Sequence, residues 1–181
     1  MRNEVFAGLA GNMDALKRAI DTCEKALAQN PNDAEALVWH GIALLTQSGQ
    51  TGEPDMQKRA AFFQKGTSEM DRAVQLEPDN LAVRIPRGSA LRLAAPRLPE
   101  SLNRDTLIEE ARSDYQRAFD LQKDRLDRLG PHPLGELLQG RGDLQVNSID
   151  YLLKPIEAEP TCPFYFQTAA DRWRSAGCEK S

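Results

Sequence analysis

The side chains that could catalyse a reaction or bind a metal ion are few and widely spaced in this sequence. They are two histidines, His40 and His132, and three cysteines, Cys23, Cys162 and Cys178. Metal sites often bring such ligands together at short spacings, such as two cysteines separated by two residues. The sequence has no such spacing and no glycine-rich phosphate-binding motif. We expect His40 to face a neighbouring helix and His132 to cap a helix, and we expect neither a metal nor a cofactor.

The other candidates for chemistry have simpler structural interpretations. Cys23 falls on the apolar face of a predicted helix, where a buried thiol is unreactive. Acidic residues such as Asp71 and the pair Glu109-Glu110 are expected on exposed helix faces, where they solvate the protein. The triplet Arg-Gly-Asp at 141–143 is interpreted as part of a turn between helices. We therefore expect that the chain is not an enzyme.

Charge and hydrophobicity exclude several classes of partner. The formal net charge is −4 at pH 7, whereas nucleic-acid binders usually present a basic face or tail. No apolar run approaches the ~18 residues that span a membrane. Residues 1–4 include an acid where a secretory signal would be basic, and an odd number of cysteines is typical of a reducing compartment. We expect a cytoplasmic protein that binds neither nucleic acid nor membrane, or a periplasmic or secreted one if a signal peptide was removed ahead of residue 1.

The sequence resembles itself when it is shifted by 47 positions. This shift pairs identical residues at five places: Ala26 with Ala73, Pro31 with Pro78, Gly41 with Gly88, Ala43 with Ala90, and Leu44 with Leu91. A further shift of 45 positions places the pair Arg72-Ala73 on Arg117-Ala118. Because two shifts select overlapping positions, we interpret the chain as a series of repeated units.

Each unit has the pattern of a helix, a turn and a second helix. Apolar residues recur every three or four positions, as on one helix face. The segments 30–33 (Asn-Pro-Asn-Asp) and 77–80 (Glu-Pro-Asp-Asn) then end one helix and cap the next, because proline cannot continue a helix and Asn or Asp side chains accept from free backbone N–H groups. The pattern predicts an all-α protein in which a long helix over 54–76 projects beyond its neighbours.

The spacing of small and large residues resembles the tetratricopeptide repeat, including repeat proteins of bacteria without an assigned activity. Gly41 and Gly88 occupy the small position of the first helix. Small, large and small residues recur in the second helix of three units, and a proline closes two of them: Ala19-Cys23-Ala26, Gly66-Met70-Ala73 and Ala111-Tyr115-Ala118, with Pro31 and Pro78. The sequence departs from the family in its longer period and in Lys123, which replaces the third closing proline.

The resemblance implies one tetratricopeptide-like α-α superhelix over residues 1–181. Its units are roughly 1–31, 32–78, 79–125 and 126–181, and it is strongest over residues 12–126. The last unit is a degenerate C-terminal capping unit, in which the glycines of 140–143 are expected to break one helix and further helices are expected over 148–158 and 163–176.

The resemblance also implies a concave groove lined by the first helix of each unit. The groove positions carried over to this sequence are mainly aliphatic: Glu35, Val38, Ile42, Leu45 and Thr46 in one unit, and Ala82, Ile85, Ser89, Arg92 and Leu93 in the next. Such a floor suits an extended or helical peptide with apolar anchors. The family's lysine and asparagine clamp for acidic peptide tails is absent, since its places hold Val38, Ile42, Ile85 and Ser89.

The function expected from this groove is that of a non-catalytic adaptor or scaffold for a protein or peptide partner. The alternative is a structural subunit that forms a homo-oligomer through the same surface, and the groove could also be covered by another helix of the same chain. The outer end of the long second helix adds Phe62 and Phe63, which either seat on a partner or, as we favour, pack against the linker 95–104.

Overall fold

The structure is a computed structural model, and it describes residues 1–49, 55–97, 104–129 and 131–144. These residues form seven α-helices and two short 3₁₀ turns, and no strand occurs among them, so the expectation of an all-α protein is confirmed for this part of the chain. The α-helices are α1 Arg2–Leu9, α2 Met13–Gln29, α3 Ala34–Ser48, α4 Met56–Leu76, α5 Leu81–Ala94, α6 Arg104–Gln122 and α7 Pro131–Leu144.

Side-chain caps explain where four of these helices begin. The side-chain oxygens of Asp33 and Asn80 accept hydrogen bonds from backbone N–H groups in the first turns of α3 and α5, at 2.9 Å and 2.8 Å. Asn12 and Asp55 cap α2 and α4 in the same way. The stop-and-cap signals at 30–33 and 77–80 are therefore confirmed, and α3 and α5 begin 47 positions apart.

The helices pack in chain order. The pairs α1 with α2, α3 with α4 and α5 with α6 are in contact, and α1, α3, α5 and α7 form a row in which each helix touches the next. The second helix of each pair also touches the first helix of the next pair. Of these last contacts, the one between α4 and α5 is the least close.

Two glycines bring α3 and α4 together at backbone distance. A Cβ atom added to Gly41 would lie 2.5 Å from the carbonyl oxygen of Gly66 and 2.7 Å from Cγ of Met70, too close for any side chain. Met70, on the next turns of α4, is fully buried beside this crossing. Glycines thus stand on both helices at the point where α3 and α4 cross, and a large buried residue follows one turn later on α4.

The first half of α4 extends past the end of α3. Gly66 lies level with Gly41 to Leu45, and α4 has ten residues before Gly66, whereas α3 ends at Ser48. At about 1.5 Å per residue, α4 continues beyond α3 by roughly one turn or more. The predicted projection of this helix is thus present.

The structure corrects the expectation of a break at 140–143. Helix α7 continues through Gly140 to Leu144, so the Arg-Gly-Asp triplet is helical and does not form a turn. Gly140 is accommodated because it faces the ring of Tyr115, which any Cβ at this position would overlap. The helices expected over 148–158 and 163–176, together with Cys162 and Cys178, lie outside the described residues.

The α3–α4 crossing predicts a specific cost for a single methyl group. Gly41→Ala should lower the free energy of unfolding by about 1–3 kcal/mol, because overpacking at the crossing outweighs the better helix propensity of alanine. Gly49→Ala is the matched control, since its Cβ would have no neighbour closer than 3.6 Å. Urea denaturation followed by circular dichroism measures both variants, and equal stabilities for the two would contradict the close approach.

Candidate functional site

The described helices form a groove of about 750 Å³. It lies where α1, α3 and α5 end and α2 and α4 begin. Its lining combines one face of each of these helices with a single residue of α7, in order Phe6, Gly8, Leu9, Gly11, Met13, Trp39, Ile42, Leu45, Thr46, Ser48, Gly49, Met56, Arg59, Ala60, Phe63, Gln64, Pro86, Ser89, Ala90, Leu93, Ala94 and Glu136. Only Arg59 and Glu136 carry charge among these residues, so the groove is predominantly apolar.

Only part of the predicted groove set lies in this groove. Ile42, Leu45 and Ser89 line it, together with Thr46 and Leu93. These residues come from the second halves of α3 and α5, close to the end of the helix row.

The remaining predicted groove residues lie elsewhere, and two of them are inaccessible. Val38 and Ile85 are buried in the core, because α3 and α5 are enclosed by neighbouring helices on several sides. Glu35 and Ala82 are exposed in the first turns of α3 and α5 and do not line the groove. Arg92 is half-buried and is also outside the lining.

The groove wall formed by α4 was missing from the predicted site residues. Met56, Ala60 and Phe63 face the groove, and Phe63 also packs against the hydrophobic core. Phe62 is half-buried, with the Nζ atom of Lys58 5.7 Å from its ring centroid. The linker that we expected to cover these rings includes residues 98–103, which lie outside the described ranges. The signal for this wall was the apolar outer end of a helix longer than its neighbours.

Apolar surface continues from the groove onto its rim. In the part of the chain that the structure describes, four large hydrophobic residues are exposed: Leu9 at 49%, Met13 at 43%, Met56 at 69% and Leu76 at 39%. The first three line the groove, whereas Leu76 is at the opposite end of α4. Since large exposed apolar patches mark interaction sites, this rim is the surface best suited to contact another molecule.

Three interactions between lining residues hold the groove in shape. The Nε–H of Arg59 donates to the carbonyl oxygen of Ser48 at 2.8 Å, which places a positive charge at the C-terminal end of α3. The Nη1 atom of Arg59 lies 3.9 Å from the sulfur of Met56. On the other side, the rings of Phe6 and Trp39 meet edge to face, with centroids 5.7 Å apart.

A second cluster contains the thiol and the imidazole that sequence inspection singled out. Cys23 and His40 are both buried, as expected. The Nδ1 atom of His40 lies 2.6 Å from a carboxylate oxygen of Glu69 on α4, and its Nε2 atom lies 3.9 Å from Glu24 on α2. Burial raises the pKa of the Cys23 thiol to about 12. The thiol is therefore neutral near pH 7, and His40 serves to join three helices.

A network of charges with a buried centre, Arg87 and Asp114, joins α4, α5 and α6. The guanidinium of Arg87 binds Asp114 at 2.6 Å, Asp71 at 2.5 Å and Glu110 at 2.9 Å. Arg84 binds the other oxygen of Asp114 at 2.7 Å. Asp71 and Glu110 are 44% and 34% exposed, so they lie at the surface as expected, and they also bind Arg87.

The charges in this network depend on one another. Burial raises the pKa of Asp114, although Arg87 and Arg84 oppose this effect. Burial alone would lower the pKa of Arg87, but Asp114 and Asp71 hold it above its ordinary value. Removal of either central charge would leave the other buried with fewer partners: Asp114 would keep Arg84, and Arg87 would keep Asp71 and Glu110.

The remaining chemical candidates are also structural where the structure describes them. The guanidinium carbon of Arg141, from the Arg-Gly-Asp triplet, lies 3.5 Å from the ring centroid of Phe119, and the arginine is buried. His132 is in the first turn of α7, and its side chain is outside the described part. Residues 1–49, 55–97, 104–129 and 131–144 contain no group of three or more His, Cys, Asp or Glu residues that could hold a metal ion. None of their helices is long and apolar enough to cross a membrane.

Comparison with known proteins gives no relative from which a role could be transferred. No family model matches the sequence, and neither a curated protein nor a solved structure is recognisably similar to it.

The buried thiol predicts a loss of stability at alkaline pH. The folded state holds the Cys23 proton until about pH 12, whereas an unperturbed thiol loses it near 9.0, so unfolding is increasingly favoured above pH 9. Because unfolding releases this proton, the free energy of unfolding falls by as much as about 1.4 kcal/mol more for each pH unit above pH 9. Urea titrations under reducing conditions between pH 8 and 10.5 should give a shallower fall for Cys23→Ala, and parallel curves for the two proteins would contradict the assignment.

The ion network predicts a large cost for the loss of one carboxylate. Asp114→Ala should destabilise the fold by about 3–5 kcal/mol, because two arginines lose their buried partner. Asp79→Ala is the control, since Asp79 forms an exposed pair with Arg117 at 2.7 Å, and such pairs contribute about 0–1 kcal/mol. Thermal or urea unfolding measures both variants. Equal stabilities for the two would show that the network has no structural role.

Proposed function

We propose that this chain is a tetratricopeptide-like array whose groove, lined by α1 to α5, binds a protein partner without catalysing a reaction. The array interpretation is supported by the repeated offset of 47 residues, the paired helices and the glycine crossing of α3 and α4. Under this proposal residues 126–181 form a degenerate closing unit that completes the array.

The observation that carries the binding function is the continuity between the groove and its apolar rim. A cavity of about 750 Å³ is within the size range of sites that hold ligands or peptide anchors. Methionines at the rim, Met13 and Met56, are unbranched and adapt their shape to a partner. The net charge of −4 favours a protein partner over nucleic acid.

Self-association through the same surface is the second candidate. The exposed residues Leu9, Met13 and Met56 could be covered equally well by a second copy of the chain. We favour the adaptor because the groove is concave, and a second copy would need a matching convex apolar surface. The described helices show no such surface, since Leu76, their fourth exposed large apolar residue, lies away from the other three. We also propose a cytoplasmic location, since the buried Cys23 is a free thiol.

Two glutamate substitutions on one helix test this function. Met56→Glu places a charge on the groove rim, whereas Leu76→Glu places the same charge at the far end of α4. Burial of a methionine side chain contributes about 1.5–3 kcal/mol, so Met56→Glu should weaken partner binding at least about tenfold. Leu76→Glu should bind like the parent. Affinity capture with quantitative mass spectrometry, followed by titration of each candidate partner, measures both effects.

Light scattering on the parent chain separates the adaptor from the self-associating subunit. The adaptor should be monomeric at micromolar concentration. A stable dimer that Met56→Glu dissolves and Leu76→Glu does not would favour the self-associating subunit. Equal partner binding by the two variants would place the functional surface away from the groove.

A further inference from the structure

Three helices present apolar residues to the same groove. In α4 the stripe is Met56, Ala60 and Phe63, and in α5 it is Pro86, Ala90 and Leu93, so both follow the spacing i, i+4 and i+7. The second half of α3 supplies the floor between them with Trp39, Ile42, Leu45 and Thr46, followed by Gly49 just after the helix. This is the periodicity with which one helix packs against another.

Small residues in these stripes leave room for close approach by a backbone. Ala60 on α4, Gly49 after α3, and Ser89 and Ala90 on α5 all line the groove. A helix that lies in such a groove satisfies its own backbone hydrogen bonds, whereas an extended peptide leaves its backbone groups to pair with a sheet edge, with polar side chains or with water. The described helices offer no strand edge, so the groove suits a helix better than an extended chain.

The rim argues for a macromolecule and against a small apolar ligand. Leu9, Met13 and Met56 line the groove and are 43–69% exposed, so a small ligand confined to the cavity would leave part of their surface in water. A helix longer than the cavity would cover them. The occupant is thus expected to be long enough to contact α1, α2 and α4 together.

Arg59 adds a charge preference at the α4 wall. Its Nε–H is bonded to Ser48 and its Nη1 atom lies beside Met56. The other N–H groups of its guanidinium have no bond partner within the described ranges, and these groups can pair with a carboxylate through two parallel hydrogen bonds. An acidic residue beside the apolar stripe of the occupant would complement this charge.

We infer that the groove receives an amphipathic helix of a partner protein, which places apolar residues at i, i+4 and i+7 between α4 and α5 and an acidic side chain against Arg59. This inference rests on the proposed function and specifies the partner's chemistry. The preference for an acidic occupant is set by Arg59 on α4. The sequence pattern did not include this helix among the groove residues.

The test uses the full chain and designed peptides of about 18 residues, since a helix of this length spans roughly 27 Å. The acid probe carries leucines at the i, i+4 and i+7 spacing and an aspartate at either end of this stripe. The base probe replaces the aspartate by lysine. A shuffled probe keeps the composition of the acid probe and loses the stripe. Fluorescence anisotropy gives the affinities, and circular dichroism reports whether the bound peptide is helical.

The parent chain should bind the acid probe about tenfold more tightly than the base probe and at least tenfold more tightly than the shuffled probe. Arg59→Glu should reverse the preference between acid and base probes, whereas Arg59→Lys should retain it. This reversal cannot come from a loss of stability at the end of α3, because destabilisation would weaken both probes alike. Met56→Glu should weaken both, and Leu76→Glu neither.

Several outcomes would overturn the inference. If Arg59→Glu keeps the preference for the acid probe, Arg59 does not set that preference. If the shuffled probe binds as tightly as the acid probe, the groove does not recognise a helix with an apolar stripe. Saturable binding of oleate to the groove, with no binding of any peptide, makes the occupant a small amphiphile. If the helical probes fail while Met56→Glu still loses a captured partner, the partner is not a helix of this kind but the proposed function stands. If Met56→Glu binds both the acid probe and the captured partner as tightly as the parent chain does, both proposals fail.

Discussion

The contact of Gly41 with Gly66 determines how the rest of the described structure is arranged. Because neither residue has a side chain, α3 and α4 cross with their backbones in contact. This crossing fixes the level at which the two helices meet, and α3 then ends while α4 still continues. The groove wall therefore follows from a contact in the core, one to three turns away along α4.

Apolar packing and charge have separate roles in holding the helices together. The α3–α4 pair relies on close approach and on Met70, with His40 and Glu69 as the polar link. The α4–α5 contact is joined instead by Arg87 and Asp71, and the α5–α6 contact combines the packing of Tyr115 against Gly88 with the ion pairs of Arg87. Buried ion pairs contribute little net stability compared with apolar packing, but they tolerate few alternative arrangements. The weakly packed α4–α5 step is thus positioned by charge, which leaves its apolar residues available at the groove.

Local signals predicted the helices well, because caps, prolines and the three-to-four spacing act within one or two turns. The turns at 30–33 and 77–80 and the small residues at the α3–α4 crossing are examples. The groove was predicted less well, because accessibility depends on how many helices surround a position. Val38 and Ile85 have the residue types of a binding floor, yet neighbouring helices bury them. The charges of Asp71, Glu110 and Asp114 could not be paired with Arg87 from sequence, since the partners are up to 27 positions apart.

The position of Tyr115 has a consequence for how this sequence can change over time. Its ring lies against Gly88 of α5 and Gly140 of α7, and a Cβ atom at Gly140 would overlap it. A larger residue at Gly140 is therefore tolerated only after the ring at 115 has become smaller, and a smaller ring leaves a void unless a neighbour grows. The three positions are expected to covary as a set, even though they belong to three helices and two different sequence units.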